Sequence, residues 1–451
     1  MKIRLPEKVS AIIRELKNAG YDAYAVGGCV RDSVLGRTPQ DWDITTSARP
    51  QQVKEVFGHT IDTGIQHGTV TVMLEHEGFE VTTYRIDGEY EDARHPKNVE
   101  FTSELREDLK RRDFTINAMA YNDEAGLVDA FDGLEDIRRG VIRCVGNPED
   151  RFTEDALRML RAVRFAAQLG FGIEENTRKA IVKLAPNLKR ISAERIQAEL
   201  VKLLVSPHPE EMLAVYDTGI ADVILPEFSR MMECQQNHPH HRGTVGEHTV
   251  WSLQAVPPVK ALRLAMLLHD VAKPLCRTED SRGIHHFHGH PVKGAEMSRQ
   301  ILRRLKFDND TIRRVCLLVK CHDDRPYPLT EKVVRRAILR NGEEAYPDLF
   351  EVSRADILGQ SDYMKKEKLK YVDEYRRIYE EICRKRQCLS LKDLAVTGSD
   401  LISAGMKPGR EIGDVLQKML NDVIEDPEAN RKDILMERFG QGRYRQTDCT
   451  Y

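Results

Sequence analysis

The sequence lacks any long uninterrupted apolar run. Its most apolar stretch, Ala261 to Ala272, contains Arg263, His269 and Asp270, and these polar side chains exclude a membrane-spanning helix there. The N-terminal stretch MKIRLPEKVSAIIRELKNAG has no apolar core of the kind found in signal peptides, and its pattern predicts an amphipathic helix that ends at Gly20. We therefore expect no membrane partner.

Paired cysteines and an excess of charge are also missing. None of the nine cysteines forms a CxxC pair, so neither a disulfide framework nor a zinc knuckle is indicated, and the reducing cytoplasm is the simplest compartment. The 69 Lys and Arg residues against 72 Asp and Glu give a formal net charge of -3, which neither favours nor excludes a nucleic-acid partner. A length of 451 residues with 41% hydrophobic residues is typical of a soluble globular protein with several domains.

What the sequence does contain is an aspartate pair after an apolar strand. The stretch Ala23 to Thr45 predicts a strand, a glycine turn and then Asp41 and Asp43 on either side of Trp42. Side chains two residues apart on an extended segment point the same way, so the two carboxylates are expected to share hard cations. Mg²⁺ suits such a site, and two ions can activate a hydroxyl and stabilise a leaving pyrophosphate. The pair predicts nucleotidyl or phosphoryl transfer, with an ordinary aspartate-rich loop as the alternative.

Candidate phosphate ligands lie in two places. Gly27 and Gly28 allow the backbone to approach phosphate oxygens closely, and Arg31 adds a guanidinium. Arg111 and Arg112 supply further cations. The two sets are typical of a site for a polyphosphate.

A carboxylate follows the second arginine pair directly. Asp113 offers an acceptor for a ribose hydroxyl, and it precedes the apolar stretch FTINAMAYN, which predicts the start of a buried helix. Asn117 lies four residues further on, which is the same face of a helix. A solvated charge cluster is the alternative.

Two predicted strands lie in the sequence between the aspartate pair and the second arginine pair. Gly68 to Leu74 and Phe79 to Arg85 alternate β-branched and polar residues around the turn signal Glu77-Gly78, which predicts a hairpin in an antiparallel or mixed sheet. The polar stretch Asp87 to Phe101 predicts a loop long enough to move.

From Glu149 the pattern is helical, so the α/β part is expected to end near Gly146-Asn147-Pro148. A helix is predicted to start at the N-cap candidate Thr153. It would carry Glu154, Asp155 and Arg158 within one turn, followed by a basic stripe of Arg161 and Arg164 opposite Leu157, Leu160 and Val163. Intrahelical ion pairs are the simplest explanation. A sharper one is base selection, because one Asp plus one Arg can accept the hydrogen-bonding edges of cytosine and adenine and reject those of uracil and guanine.

These motifs together resemble those of the class II tRNA nucleotidyltransferases, the CCA-adding enzymes, and the related bacterial poly(A) polymerases. The resemblance covers nearly the whole chain and is carried by GGCVRD with DWD, RRDFTINAMA, DAFDGLEDI and EDALRMLRAVRF. It implies an α+β fold, with a mixed-sheet nucleotidyltransferase head like that of polymerase beta, followed by helical neck, body, HD and tail regions. The expected boundaries are 1–146, 147–240, 241–360 and 361–451.

The resemblance also implies roles for the motif residues. Asp41 and Asp43 would hold the catalytic Mg²⁺ ions, and Gly27, Gly28, Arg31, Arg111 and Arg112 would contact the triphosphate. Asp113 would bind the ribose 2′-hydroxyl, Asp155 and Arg158 would select the base, and Glu154 would orient Arg158. Asn117, Arg161 and Arg164 complete the expected nucleotide site. Asp129 to Ile137 would act as a hinge, and Arg190 to Leu200 would brace the neck helix.

Addition of CCA to tRNA from CTP and ATP is the implied reaction. The loop DGEYEDARHP has the full length that A addition requires within the family, and the arginine-rich signature of poly(A) polymerases is missing. An A-adding enzyme and a poly(A) polymerase are the near alternatives. A hydrolase with a regulatory nucleotide-binding head is an alternative from another class.

A second set of motifs resembles the HD superfamily of metal phosphohydrolases. GEHTVWSLQAV, LAMLLHDVAKP, HHFHGHPVKGAE and VKCHDDR carry it. A second divalent transition metal could be held there, with phosphatase or cyclic phosphodiesterase activity. Asp323 and Asp324 compete with Asp356 as the last ligand. The candidate ligands are His248, His269, Asp270, His290, His322 and Asp356.

The remaining residues predict a tRNA-binding tail. A basic helix pattern with tyrosines begins KKEKLKYVDEYRR, with a solvated helix as the alternative. Lys407 and Arg410 at the Gly405 to Gly409 turn are expected to contact the tRNA elbow. Recognition would follow the shape of the acceptor arm and elbow rather than base sequence. The patternless C-terminal GQGRYRQTDCTY is expected to be disordered.

Overall fold

A computed structural model describes residues 1–88 and 99–439, which fold into two compact units. Unit 1 comprises Met1–Glu233 with Ile301–Phe307, and unit 2 comprises Cys234–Gln300 with Asp308–Tyr451. The loop predicted from Asp87 to Phe101 is wrong at both ends, because Asp87 and Val99–Phe101 pair as strands. Residues 89–98 of that loop and the C-terminal residues 440–451, which we expected to be disordered, lie outside the described residues.

Unit 1 contains the predicted mixed sheet. Seven strands pair in the order β3-β4-β5-β2-β1-β8-β9, in which β2 and β5 are parallel and all other neighbours are antiparallel. The strands of this unit are β1 Ala23–Val26, β2 Ile44–Thr46, β3 Thr60–Gly64, β4 Thr69–Leu74, β5 Glu77–Thr83, β6 Arg85–Asp87, β7 Val99–Phe101, β8 Met119–Asn122, β9 Gly126–Asp129, β10 Val141–Ile142 and β11 Gly172–Ile173.

Helices cover this sheet and continue beyond it. The predicted N-terminal helix is confirmed: Val9, Ile12 and Leu16 are buried on one face, and Gly20 adopts a left-handed φ of 89° just past its end. The α-helices of unit 1 are α1 Glu7–Asn18, α2 Gly28–Val34, α3 Pro50–Val56, α4 Leu105–Lys110, α5 Gly133–Arg139, α6 Pro148–Glu154, α7 Leu157–Leu169, α8 Glu175–Leu184, α9 Ala193–Leu204, α10 Met212–Asp217, α11 Ile220–Ile224 and α12 Pro226–Glu233, with 3-10 helices at Ile65–His67, Thr115–Asn117, Ala185–Arg190 and Pro209–Glu211.

The β4–β5 hairpin is confirmed, but its turn was wrongly placed. The chain reverses at Glu75 and His76, whose φ values of 47° and 71° match the twist of a tight hairpin turn. Gly78 lies inside β5 opposite Met73. A Cβ at Gly78 would lie 2.9 Å from Thr71 Cγ2, so this glycine serves close packing between strands rather than the turn.

The buried helix predicted for FTINAMAYN is wrong. Only a 3-10 turn, Thr115–Asn117, precedes β8, which inserts beside β1 in the sheet. Ala118 and Ala120 join the buried cluster of Val26 and Leu109. The short apolar run is a central strand because it is buried on both faces, a pattern that periodicity does not separate from a buried helix.

The predicted start of a helix at Thr153 is also wrong. Asn147 caps α6 by accepting a hydrogen bond from the Glu149 backbone N–H, and Thr153 lies inside α6. The chain then extends at Asp155, whose carboxylate accepts from the Leu157 N–H at 3.0 Å where α7 begins. Asp155 is therefore held at a break between two helices.

Unit 2 is helical apart from a two-stranded pair, β12 Thr278–Glu279 with β13 His285–His286. In the described residues no helix combines the length and hydropathy needed to cross a membrane. The α-helices are α13 Val245–Ala255, α14 Lys260–Leu268, α15 Lys273–Cys276, α16 His290–Arg304, α17 Asn309–Cys321, α18 Glu331–Asn341, α19 Asp348–Gly359, α20 Lys365–Arg384, α21 Gly398–Ser403, α22 Arg410–Glu425 and α23 Lys432–Phe439, with 3-10 helices at Glu343–Ala345, Leu391–Asp393 and Pro427–Ala429.

Candidate functional site

The two predicted metal-binding aspartates lie at the start of β2. The Val26 N–H donates to the Asp43 carbonyl at 3.0 Å, so the pairing of β1 with β2 extends to Asp43. Asp41 and Asp43 are exposed and line a common cavity of about 670 Å³ together with Arg31 and Arg164. Although Asp43 reaches the surface, desolvation of its carboxyl by the surrounding protein raises its pKa, the charge of Asp41 raises that pKa further, and the charge of Arg112 lowers it. The arrangement offers two hard oxygen ligands beside cationic groups.

The glycine pair brings backbone and arginine close together. Gly27 has a φ of 81°, in the left-handed region, and a Cβ there would lie 3.0 Å from Arg112 Nη1. Gly28 begins α2, which carries the buried Arg31 into the same cavity as the aspartates. Glycine is thus required at position 27 by both conformation and space.

A hydrogen-bond chain connects Arg31 to α7. Arg31 Nη1 donates to Asn117 Oδ1 at 2.6 Å, and Asn117 Nδ2 donates to Asp113 Oδ1 at 3.1 Å. Arg161 donates to Asp113 Oδ2 from Nη2 at 2.6 Å and from Nε at 2.9 Å. The contact expected between Asp113 and Asn117 is present although no helix connects them.

Asp108 organises the second arginine pair and was missed in the sequence. Its fully buried carboxylate accepts from Arg111 Nη2 at 2.7 Å and lies 3.4 Å from Arg112 Nη2. Although burial alone would raise it, the two arginines hold the pKa of Asp108 below its ordinary value. The signal was available, since Asp108 precedes the arginines by three and four residues.

The two expected base-selecting residues are held by ion pairs. Asp155 receives Arg195 Nη2 at 2.7 Å and Nη1 at 3.2 Å, and Arg158 Nη1 donates to Glu154 at 2.7 Å. Arg195 belongs to the stretch expected to brace the neck helix, and it does so through Asp155. Its individual role was not predicted, because the two residues are forty positions apart.

Arg164 is more constrained than a solvated basic stripe would be. Its guanidinium lies 3.6 Å from the centre of the Phe165 ring, and Nε donates to Glu199 at 2.8 Å. Glu199 also lies 3.5 Å from Arg161 Nη1. This buried carboxylate, which was missed in the sequence, joins the two arginines of α7 to α9.

The hinge candidate Asp129 to Ile137 is a well-bonded turn. Asp129 accepts from the backbone N–H groups of Gly133 and Leu134, both at 2.8 Å. Asp136 accepts from the Thr115 hydroxyl at 2.7 Å. These bonds fix the start of α5 against the segment that carries Asn117.

In unit 2 the six HD candidates converge as two adjoining groups, each of which could hold a metal ion. One group contains His248, His269 and Asp356, and the other contains Asp270, His290 and His322; all six are buried. His248 Nε2 lies 3.0 Å from Asp356 Oδ1. Asp324 instead accepts from Arg340 and Asn341. Of the three carboxylates considered for the last ligand, Asp356 belongs to one of these groups, whereas Asp323 and Asp324 belong to neither.

The orientation of the imidazoles fits a metal site. In His290 and His322 the Nδ1 atoms lie 2.8 and 2.7 Å from the carbonyls of Phe287 and Val319. A carbonyl only accepts, so both Nδ1 atoms carry a proton, and the two Nε2 atoms face each other at 3.3 Å. Burial lowers the pKa of His322 to about 4. Nitrogen atoms that face each other beside the Asp270 carboxylate could share a bound cation.

Three family models match parts of the chain. The poly A polymerase head domain matches residues 23–143, and a probable RNA and SrmB-binding site of polymerase A matches residues 170–232. A putative tRNA nucleotidyltransferase domain 2 matches residues 291–439. The matches fall on both compact units.

Solved structures share the fold over nearly the full length. The CCA-adding enzyme of Bacillus stearothermophilus in complex with CTP aligns with a TM-score of 0.70 and 31% identity over 97% of this chain and 98% of its own. The Thermotoga maritima CCA-adding enzyme complexed with tRNA aligns with a TM-score of 0.58 and 21% identity over 97% and 98%. The second likeness shows the fold alone.

Curated relatives match at similar coverage. The CCA-adding enzyme of Lactiplantibacillus plantarum is 34% identical over 96% of both chains. That of Lactobacillus helveticus is 37% identical over 96% of this chain and 97% of its own. Since these relatives are at least 34% identical over 96% of this chain, the chain belongs to the family of CCA-adding enzymes.

Proposed function

We infer that this protein adds CCA to the 3′ end of tRNA, using CTP and ATP and releasing pyrophosphate. The observation that carries the inference is the cavity in unit 1, in which Asp41 and Asp43 stand beside Arg31. Two carboxylates for metal and a guanidinium for phosphate are the groups that nucleotidyl transfer needs. A relative 37% identical across the chain is itself named as a CCA-adding enzyme.

In the reaction the terminal tRNA hydroxyl attacks the α-phosphorus of the nucleotide. A new P–O bond forms, the bond to the pyrophosphate oxygen breaks in line with it, and the hydroxyl proton is lost. Asp41 and Asp43 would hold the divalent metal, which we propose is Mg²⁺ because both ligands are hard oxygens; it would lower the pKa of the hydroxyl and neutralise the leaving charge. Arg31, Arg111 and Arg112 bind the triphosphate in this proposal.

Base selection is assigned to Asp155 and Arg158. Both lie at the junction of α6 and α7, where Arg195 and Glu154 fix their side chains. The carboxylate would accept from the exocyclic amine of cytosine or adenine, and the guanidinium would donate to the neighbouring ring acceptor. Fixed positions favour selection, because a side chain held before binding loses little entropy on binding.

The proposal is tested by supplying three tRNA transcripts with Mg²⁺, CTP and ATP. One transcript ends at the discriminator base, one at the first C and one at CC, and the products are sequenced. CCA ends on all three are expected. Addition of A alone to the third transcript would mean an A-adding enzyme, and long adenosine runs would mean a poly(A) polymerase.

We propose a second, metal-dependent phosphohydrolase activity for unit 2. The observation that favours it is that six buried histidine and aspartate residues form two groups, one of which contains Asp270 and the other Asp356. In the reaction a water oxygen bonds to phosphorus, the ester P–O bond breaks and the leaving alcohol takes the proton. A metal held by these six residues would supply Lewis acidity and lower the pKa of that water.

The metal is tested on the full-length protein. Elemental analysis of protein purified without chelator should find one or two transition-metal ions per chain, and p-nitrophenyl phosphate should be hydrolysed once these are present. A chain that takes up no metal from Mn²⁺, Co²⁺, Ni²⁺ or Zn²⁺ solutions would contradict the assignment.

Regional assignments complete the proposal. The head 1–146, neck and body 147–240, HD region 241–360 and tail 361–451 are proposed as the functional divisions, with the cytoplasm as the compartment. Lys407 and Arg410, both exposed in the tail, are the proposed contacts to the tRNA elbow.

A further inference from the structure

Two cavities of unit 2 adjoin each other through two cationic side chains. The first, of about 340 Å³, is called the histidine cavity, and it is lined by four of the six candidate HD ligands, Asp270, His290, His322 and Asp356. The second, of about 280 Å³, is lined by Tyr327, Tyr371 and Tyr375 and is called the tyrosine cavity. Arg325 and Lys368 line both. The boundary between the cavities is therefore positively charged.

Both shared cations are oriented toward the HD ligands. Arg325 Nη2 lies 3.5 Å from Asp356 Oδ2. Lys368 Nζ donates to Gln360 Oε1 at 2.6 Å, and Gln360 Nε2 donates to both Asp356 oxygens at 3.0 and 3.1 Å. A phosphate at the histidine cavity would thus find two cations on the side that leads to the tyrosine cavity.

The tyrosine cavity is aromatic and open. Two of its tyrosine hydroxyls are directed into the protein, since Tyr371 donates to the Pro326 carbonyl at 2.6 Å and Tyr375 shares a 2.6 Å hydrogen bond with Tyr346. The rings therefore present their apolar parts to the cavity. At the mouth the Tyr327 side chain is 87% exposed and Met364 is 48% exposed. Both exposed side chains belong to the lining of one cavity together with further aromatic residues, which is the composition typical of a ligand pocket.

From this juxtaposition we propose that the tyrosine cavity is a nucleobase subsite of the HD centre, which takes a nucleotide phosphoester with its phosphate at the histidine cavity and its base against Tyr327. The proposal rests on the hydrolase activity proposed for unit 2. Cations at the boundary match the phosphate, and aromatic faces stack any base because every base has a π face. The ligand is a free nucleoside monophosphate or the terminal nucleotide of an RNA.

The test compares two phosphoesters that differ only in the presence of a nucleoside. Hydrolysis of adenosine 2′-monophosphate and of methyl phosphate is measured with the metal-loaded wild type, with Tyr327→Ala, and with Leu391→Ala as a control at an exposed apolar residue outside both cavities. Tyr327→Ala should raise KM for the adenosine ester about tenfold and leave KM for methyl phosphate unchanged. Lys368→Met should raise both, because the phosphate is common to them.

Binding at the tyrosine cavity can also be measured without turnover. 5-Iodouridine 3′-monophosphate is photo-crosslinked to the wild type, and the adducts are mapped by mass spectrometry. An adduct on the peptide that contains Tyr327 or Tyr371, lost in competition with adenosine 2′-monophosphate, is expected. Adducts confined to unit 1, or an unchanged KM in Tyr327→Ala, would overturn the subsite.

Different results would contradict the hydrolase activity and the nucleobase subsite. If neither phosphoester is hydrolysed, the hydrolase activity is wrong, whereas the crosslink still decides whether the base binds. Repeating both measurements with a short RNA that ends in a 3′-phosphate identifies the source of the ligand. A Tyr327 effect only on the RNA would assign the subsite to RNA ends, and an equal effect on both would assign it to nucleotides in general.

Discussion

Asp113 and Arg161 form an ion pair across 48 residues of sequence, with Arg161 Nη2 2.6 Å from Asp113 Oδ2. The aspartate is buried and its other oxygen accepts from the Phe114 N–H at 2.9 Å and from Asn117 at 3.1 Å. Burial alone would raise the pKa of Asp113, but Arg161 and Asn117 hold it well below its ordinary value. The residue proposed to bind the ribose is thus also a structural link between the head and α7.

Asp113→Asn should lower the free energy of unfolding by about 2 kcal/mol, because it removes a buried carboxylate charge and leaves the partly exposed Arg161 guanidinium with the more distant Glu199, 3.5 Å away. Urea denaturation followed by circular dichroism would measure the loss. Asp62→Asn is the control, since its carboxylate pairs with Lys54 at the surface and should change stability by less than about 1 kcal/mol.

The same ion pair predicts a pH dependence. Because the pKa of Asp113 is lower in the folded than in the unfolded protein, its stabilisation is complete above about pH 4, the unfolded value, and is lost as the pH falls toward the folded value. The stability difference between wild type and Asp113→Asn should therefore shrink below about pH 4. A difference that stays constant down to pH 2 would contradict this assignment.

Gly27→Ala should reduce nucleotide addition and stability together. A left-handed φ costs a residue with a Cβ about 1–2 kcal/mol, and the new methyl would displace Arg112, whose Nη1 is 3.0 Å away. Thermal unfolding and KM for CTP would be measured. Gly126→Ala is the control, because φ is also positive there but its Cβ would meet open space. A normal KM in Gly27→Ala would show that Arg112 does not bind the triphosphate.

The parts of this site that could be predicted from sequence are local. The strand before Gly27, the pairing of β4 with β5 and the contact between Asp113 and Asn117 all depend on residues a few positions apart. Arg195 against Asp155 and Glu199 against Arg164 could not be predicted, because forty and thirty-five residues separate the partners. The helix start at Thr153 failed for a different, local reason: a better cap, Asn147 followed by Pro148, lies six residues before it.

Arg158→Ala should relax base choice toward UTP and GTP, since the guanidinium is the donor that a cytosine or adenine acceptor needs. Misincorporation on a tRNA ending in CC would be scored by sequencing the products. Arg178→Ala is a suitable control, because Arg178 is an exposed arginine of α8 paired with Asp217. Unchanged selectivity in Arg158→Ala would place base selection elsewhere.

Asp41→Ala should lower the rate of C and A addition at least about a thousandfold, as expected for removal of a metal ligand from a catalytic unit. Folding should be unaffected, because Asp41 is exposed. Addition would be measured at several Mg²⁺ concentrations. Hydrolysis of p-nitrophenyl phosphate should remain at the wild-type rate, which separates the head from the HD centre. Retained addition would refute the metal assignment.

His269→Ala tests the HD centre independently of the aspartates in unit 1. His269 Nε2 lies 3.2 Å from both His248 Nε2 and Asp270 Oδ2. Its loss therefore removes a ligand from the first group and a contact to Asp270 in the second. Metal content should fall by one or two ions per chain and phosphatase activity should disappear. His288→Ala is the matched control, because His288 lines the histidine cavity but belongs to neither group. Its metal content should equal that of the wild type.

CCA addition should be unchanged in both variants, since the catalytic aspartates lie in unit 1. Loss of addition together with metal would instead mean that the centre is structural and that the hydrolase assignment is wrong.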